Sequence, residues 1–171
     1  DGENAWYESA LDLGCGTGLV GAQLRGFCSE LTGVDLSQAM LDKAAEKAVY
    51  DELIAAGADA WLGTAESNFD LVLATDVVAY IGALDDLFKR SKARMKPGAR
   101  LVLSTEELDG DGFKLRPTGR YAHSAAYVEH CAAGAGLDVA HQTTIPLRKE
   151  KGEWLEGGLF VLTPAPDRVQ P

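Results

Sequence analysis

Long apolar runs, cations and cysteines are all scarce in this chain, and each scarcity excludes something. No apolar run approaches the ~20 residues needed to cross a bilayer, and no signal-peptide pattern opens the sequence. Lys and Arg number 16 against 26 Asp and Glu, a formal net charge of −10. So acidic a surface repels phosphate backbones and anionic lipid, which speaks against nucleic acid and membrane surfaces as partners. One basic stretch (Lys89, Arg90, Lys92, Arg94, Lys96 and Arg100) runs against that balance. It reads as the solvated face and C-terminal end of a helix, where cations complement the dipole. The three cysteines, Cys15, Cys28 and Cys131, are odd in number and lack metal or redox spacing. They point to a reducing, cytoplasmic setting and to no metal site. What remains is 46% hydrophobic content in 171 residues, enough for one core and too little for two ordinary domains.

The organising stretch runs from Ala10 to Gly21, ALDLGCGTGLVG. A short apolar run ends at an acidic residue, Asp12, and glycines follow at alternate positions, Gly14, Gly16 and Gly18. Leu19, Val20 and Leu24 then begin a helical pattern. A strand, a tight turn and a helix start fit this order. Glycine lets such a turn reach positive φ and lets a ligand touch bare main chain. The spacing differs from the G-x-G-x-x-G fingerprint in which a helix N-terminus holds a pyrophosphate.

Further βα units follow. Glu30 to Ser37 reads as a second strand ending at Asp35, the position that faces ribose hydroxyls in Rossmann-type sheets, with Ser37 as the cap of the next helix. Residues 38–48 are rich in good helix formers, and Met40 and Leu41 fall on the side expected to be buried. Tyr50 to Leu62 forms the third unit, and Asn68 to Tyr80 contains a strand apolar enough to be buried on both faces. A helix carrying Leu84, Leu87, Phe88 and Met95 stops at Lys96-Pro97-Gly98 before a fifth strand, Arg100 to Ser104. Residues 106–122 lack any period, and a long irregular loop at a strand end is more often functional than filler. A helix from about Ala125 to Ala133, two strands (Leu137 to Ile145 and Gly158 to Thr163) and two prolines complete the chain.

The glycine turn D-L-G-C-G-T-G closely resembles the first motif of the class I S-adenosylmethionine-dependent methyltransferases, and F-D-L-V at Phe69 to Val72 resembles their fourth. Within that class the chain resembles the type 11/12 methyltransferases. Phrases such as LTGVDLSQAML and GRYAHS resemble a bacterial subgroup associated with TPR repeats. The resemblance implies an α/β, Rossmann-like doubly wound sheet of seven strands, mostly parallel with an antiparallel C-terminal edge. It implies one domain over residues 1–171, lacking the N-terminal helical cap usual in the family, so that a helical or TPR segment is expected in a longer chain. The implied cofactor is S-adenosylmethionine, released as S-adenosylhomocysteine. Asp12, Gly14, Cys15, Gly16 and Gly18 would hold it through the first motif, Asp35 and Leu36 at the ribose, and Met40 at the adenine. Relatives place an acidic residue after the third strand. Here Gly57 stands there, with Asp59 two residues late, so the backbone of Ala56, Gly57 and Ala58 would serve. Thr75, Asp76 and Val77 would lie beside the amino-acid end and the incoming substrate.

Methyl transfer to a small-molecule acceptor is the expected activity. The sulfonium is already a good leaving group, so the protein mainly has to align the partners and exclude water. His123, Asp76 and Tyr80 are the candidate catalytic residues, with histidine the commonest base near neutral pH. Tyr121 more often packs than reacts, and Arg120 and Arg148 could neutralise an acidic substrate. A SAM-binding regulatory module without turnover, a protein methyltransferase and a nucleotide-dependent oxidoreductase stand as alternatives. The N-P-P-Y-type motif of nucleic-acid amino methylases is absent, with Ala74-Thr75-Asp76-Val77 in its place.

Overall fold

A computed structural model describes residues 5–150 and 152–166. Strand β1 (Tyr7–Leu13) lies between β2 (Cys28–Asp35) and β4 (Phe69–Ala74), and β3 (Glu52–Ala55) and β5 (Met95–Glu107) extend the parallel sheet to either side. The order β3-β2-β1-β4-β5 means that the chain leaves β1 in one direction and returns to start again on its other side. The crevice between β1 and β4 is therefore a topological switch point, where open α/β sheets bind ligands. On the far side of β5 the antiparallel β9 (Glu153–Pro164) pairs with Leu101–Glu106 and carries β8 (Leu137–Glu150) outside it.

Seven of these strands are the expected sheet. Two more appear where an irregular loop was expected: β6 (Phe113–Leu115) and β7 (Tyr121–His123) form a small hairpin. Glu106 and Glu107, at the exit of β5, pair with Ala122 and His123 of that hairpin.

Side chains of successive strand residues go to opposite faces. Leu11 and Leu13 of β1 and Val72 and Ala74 of β4 join the larger core under α3 (Ala58–Thr64), α4 (Asp85–Ala93) and α5 (Ala125–Gly134). Ala10, Leu71 and Leu73 join a smaller one with Leu31 and Cys28, against which Leu24 of α1 (Leu19–Leu24) and Tyr50 pack. These central strands are covered on both sides, which is why Ala10–Leu11 and Leu71–Ala74 are apolar on both faces.

Two local expectations fail for identifiable reasons. Met95, expected on the helix of residues 84–95, opens β5 instead, opposite Phe69. Lys96-Pro97-Gly98 is then not a stop but a bulge within the strand: the register passes from Phe69–Met95 to Leu71–Arg100, and Gly98 takes φ +79°. Asp70 anchors that end of the sheet. Burial would raise its pKa, but the Ser9 N–H and Oγ and the Lys96 ammonium (2.9, 3.2 and 3.1 Å) outweigh it and hold the carboxyl below its ordinary value.

Candidate functional site

The glycine turn after β1 is held by its own backbone. Gly14 and Cys15 donate to the Val34 carbonyl (2.7 and 3.1 Å), and Gly18 donates to Cys15 (2.8 Å). Gly14, Gly16 and Gly18 all have positive φ, at 69°, 54° and 77°. The Gly16 N–H donates to Asp35 Oδ2 at 2.9 Å, and Ser37 N–H to Asp35 Oδ1 at 2.8 Å. One carboxylate thus ties the β1 turn to the end of β2. An ionised carboxylate has about four lone-pair positions, so each Asp35 oxygen keeps one for a further donor.

Beside this turn lies a cavity of about 770 Å³, inside the range of about 300–1,000 Å³ typical of small-molecule sites. Gly14 and Gly16 form its floor, with Val34 to Ser37 from the end of β2 and Met40 from α2 (Gln38–Ala45). The segment from Ala56 to Ala60 closes one side, and Asp76, Val77, Tyr80 and Ile81 after β4 close the other. A Cβ on Gly16 would meet only a backbone oxygen at 3.9 Å, and one on Gly57 would meet nothing within 4 Å. Main chain is therefore bare to the cavity at both places. The titratable side chains lining it are Asp35, Asp59, Asp76 and Tyr80, without a Lys, Arg or His among the described residues. Such a lining favours a ligand with a positive centre.

Of the expected cofactor residues, Gly14, Gly16, Asp35, Leu36, Met40, Ala56, Gly57 and Ala58 line this cavity. Met40 is not on the buried side of its helix: Leu41 takes that place, while Met40 is 40% exposed and turned to the cavity wall. Asp12, Cys15, Gly18 and Thr75 do not line it. Asp12 is 1% exposed and accepts a hydrogen bond from Tyr50 Oη at 2.7 Å. Burial pushes its pKa up to about 6, against the lowering effect of the tyrosine, and Asp35 adds a smaller upward push. Cys15 is buried, its thiol pushed up to about 12 by desolvation and then by Asp12 and Asp35. Gly18 makes room for Tyr50: a Cβ there would come within 2.9 Å of the ring, and Gly21 and Gly33 face the same ring.

The candidate catalytic residues separate as well. Asp76 and Tyr80 line the cavity. His123 does not: it is 1% exposed, its Nε2 lies 2.9 Å from the Gly82 carbonyl, and Nδ1 has no partner. Desolvation lowers its pKa despite the carbonyls of Gly82 and Ile81 and the Glu106 charge, so the ring is neutral at physiological pH. It stacks on Tyr127 and packs near Phe113 and Tyr121, which docks the β6–β7 hairpin on the turn after β4.

Arg120, just before β7, crosses to the mouth of the cavity. It donates to Asp76 Oδ1 at 3.2 Å and to Tyr80 Oη at 2.9 Å, with its guanidinium 5.1 Å from the Tyr80 ring centre. Arg148 faces elsewhere, onto Glu106, a carboxylate 2% exposed that also receives Arg116 at 3.8 Å. Nothing in the sequence reading singles out Glu106; the signal available for it is an acidic residue shortly after the apolar run Leu101–Leu103 of β5.

Residues 11–103, more than half of the chain, match the family model described as a methyltransferase domain. The chain belongs to this family. Among curated relatives it is 34% identical over 114 residues to a ubiquinone biosynthesis O-methyltransferase of Bradyrhizobium diazoefficiens, covering 64% of this chain and 44% of that one. It is 30% identical over 103 residues to a malonyl-[acyl-carrier protein] O-methyltransferase of Enterobacter lignolyticus, covering 60% and 41%. This methyltransferase-family chain thus spans less than half the length of these two relatives. A solved structure with the same fold is the 1,6-didemethyltoxoflavin-N1-methyltransferase of Burkholderia thailandensis, which carries bound S-adenosylhomocysteine. It has a TM-score of 0.76 at 17% identity over 95% of this chain and 72% of that one.

Proposed function

We propose that this chain binds S-adenosylmethionine in the cavity beside the glycine turn and transfers its methyl group to a small-molecule acceptor. The observation that carries the reading is the joint placement of bare backbone at Gly16 and Gly57 with Asp35 at the end of the strand between them, next to the switch point of the sheet. The residues fit the group. The remaining lone pairs of Asp35 suit a pair of vicinal hydroxyls. Leu36, Met40 and Ile81 offer apolar walls to a flat base, and the acidic lining suits a sulfonium and an ammonium. When bound, the cofactor supplies an electrophilic methyl group.

The chain's own part is to hold the two reactants in line and keep water out. The N–H groups of Gly14, Cys15, Gly16 and Gly18 are engaged within the protein, so the turn acts through its shape and through Asp35 rather than as a ring of free donors. Asp76 and Tyr80 stand at the acceptor side. Asp76 is the carboxylate available to take a proton from a hydroxyl or ammonium acceptor, while buried His123 serves the fold. Calorimetric titration with S-adenosylhomocysteine tests the reading, with micromolar binding expected. Asp35→Ala should weaken it at least about tenfold, the effect of removing hydrogen bonds to a charged group. No heat from either S-adenosylmethionine or S-adenosylhomocysteine would refute it.

A further inference from the structure

We propose that the methyl acceptor is a small organic monoanion whose carboxylate docks on Arg120 at the cavity mouth, taking over the contact that Asp76 makes there. The proposal rests on the reading of the cavity as a methyl-transfer site and adds the class of acceptor.

Arg120 is built into place. Its side chain is 22% exposed, although its partners Asp76 and Tyr80 both line the cavity. The turn that carries it is closed by Arg116 N–H on the Arg120 carbonyl (2.8 Å) and Gly119 N–H on the Arg116 carbonyl (2.9 Å). The Arg116 side chain reaches back to the Glu107 carbonyl and to buried Glu106, which Arg148 holds from the other side. Glu106 is thus a positioning residue for the turn that presents the guanidinium.

The contact with Asp76 leaves much of that guanidinium unused. A guanidinium has five N–H donors in a fork matched to two carboxylate oxygens. Only one N–H reaches Asp76, at one oxygen, and one reaches Tyr80. The Asp76 side chain is 72% exposed, and its backbone sits at φ +59°, a region that non-glycine residues rarely occupy. An exposed, single-pronged pair of this kind is weak. A free carboxylate approaching along the fork would make two parallel bonds where Asp76 makes one. Because Arg120 donates to the Tyr80 oxygen, the phenol proton is free to bond the same anion.

Charge and shape narrow the class. Asp35, Asp59 and Asp76 line the cavity, so an anion there needs Arg120 as its counter-charge, and one negative charge is tolerated better than two. Tyr80 is 60% exposed and lines the cavity with Val77 and Ile81, which suits an apolar or aromatic body behind the carboxylate.

The test is saturation-transfer NMR titration of benzoate, benzamide and phenyl phosphate onto the chain in saturating S-adenosylhomocysteine, at pH 7.5. Benzoate is expected to bind saturably, benzamide at least about tenfold more weakly for want of a charge, and phenyl phosphate more weakly than benzoate because its second negative charge faces Asp35, Asp59 and Asp76. Arg120→Gln should weaken benzoate by roughly tenfold to a hundredfold and leave the S-adenosylhomocysteine affinity within about twofold, a carboxylate on a guanidinium being a strong charge-assisted pair. Asp76→Asn removes the competing anion and should strengthen benzoate by about twofold to fivefold. Benzoate that fails to bind, binds no better than benzamide, or ignores Arg120→Gln overturns the proposal. Failure of S-adenosylhomocysteine to bind the unmodified chain is a separate result and refutes the cofactor reading instead.

Discussion

Tyr50→Phe is a change of one oxygen whose effect should depend strongly on pH. The Tyr50 hydroxyl is the donor to Asp12, a carboxyl 1% exposed whose pKa is pushed from the ordinary 3.8 up to about 6. A raised folded-state value means that between pH 3.8 and about 6 the folded chain keeps a proton that the unfolded chain has released. The stabilising contribution is therefore complete below the lower value and lost as pH rises through the upper one. The gap between 3.8 and about 6 corresponds to about 3 kcal/mol. Removing the hydroxyl takes a hydrogen bond from the ionised form, moves the folded-state value higher and extends the loss toward neutral pH. The expected cost is about 1.5–3 kcal/mol at pH 7.5, the range for a hydrogen bond to a charged group, and distinctly less at pH 5. Buried His123 slopes the other way, because its lowered value removes stability as pH falls below 6.5. Urea unfolding at pH 5.0 and 7.5 of the unmodified chain, Tyr50→Phe, Asp12→Asn and the double variant separates the two. Asp12→Asn should abolish the pH dependence of the Tyr50→Phe effect. An equal cost at both pH values, or one that persists undiminished when Asp12→Asn is already present, would refute the reasoning.

Other consequences are as direct. Gly21→Ala puts a Cβ 2.2 Å from Tyr50 Oη and 2.3 Å from its Cζ, so the ring must move; unfolding should show a loss of about 1–3 kcal/mol, the range for overpacking. Gly16→Ala meets no steric obstacle closer than 3.9 Å but keeps φ +54°, so it should cost about 1–2 kcal/mol in stability and weaken S-adenosylhomocysteine in calorimetry by filling the floor. Glu106→Gln leaves Arg148 and Arg116 facing a neutral amide at a buried position. Since both arginines are partly exposed, a loss nearer 2 than 5 kcal/mol is expected in thermal melts.

The alternation of apolar runs with helical stretches was enough to place the parallel strands along the chain, because each βα unit is local in sequence; the doubly wound arrangement came from the family resemblance. The turn at Gly14 to Gly18 was legible for the same reason. What each glycine does was not. Gly14 and Gly16 face the cavity, whereas Gly18, Gly21 and Gly33 make a slot for Tyr50, and that partner lies about 30 residues from the first two of them. Asp12 reads as a ligand contact because it sits in the motif beside glycines that line the cavity; the fold turns it to the tyrosine. The β6–β7 hairpin escaped because strands of three residues cannot establish a period of two against a polar background. Met95 sits at helical spacing from Ser91 and Phe88, and only its pairing with Phe69 makes it strand. Among the charged residues, Arg120 carried a usable signal in its position just after a glycine-rich loop. Arg148 is held instead by Glu106, a contact that depends on β5 and β8 lying near each other through β9 and that no local pattern announces.

The division of charge across the cavity gives a last test. Asp35 and Asp59 line it beside the glycine turn and after β3, the side proposed for the cofactor, where Arg90 reaches only the Asp59 carbonyl, while Arg120 stands at the mouth on Asp76 and Tyr80. Two ligands of opposite charge can then occupy one cavity without competing for the same countercharge. S-adenosylmethionine carries one net positive charge from its sulfonium, ammonium and carboxylate; S-adenosylhomocysteine has lost the sulfonium charge and carries none. Raising salt from 0.1 to 1 M shortens the screening length from about 10 to about 3 Å, which weakens the attraction of the lining for the first ligand and leaves the second largely unaffected. Their affinity ratio should therefore shift by about threefold toward S-adenosylhomocysteine over that range, the size of an exposed charge interaction. Calorimetry of both ligands at the two salt concentrations measures it. Parallel salt dependence for the two would mean that Asp35 and Asp59 act on the cofactor as hydrogen-bond acceptors alone and that their charge does not select it.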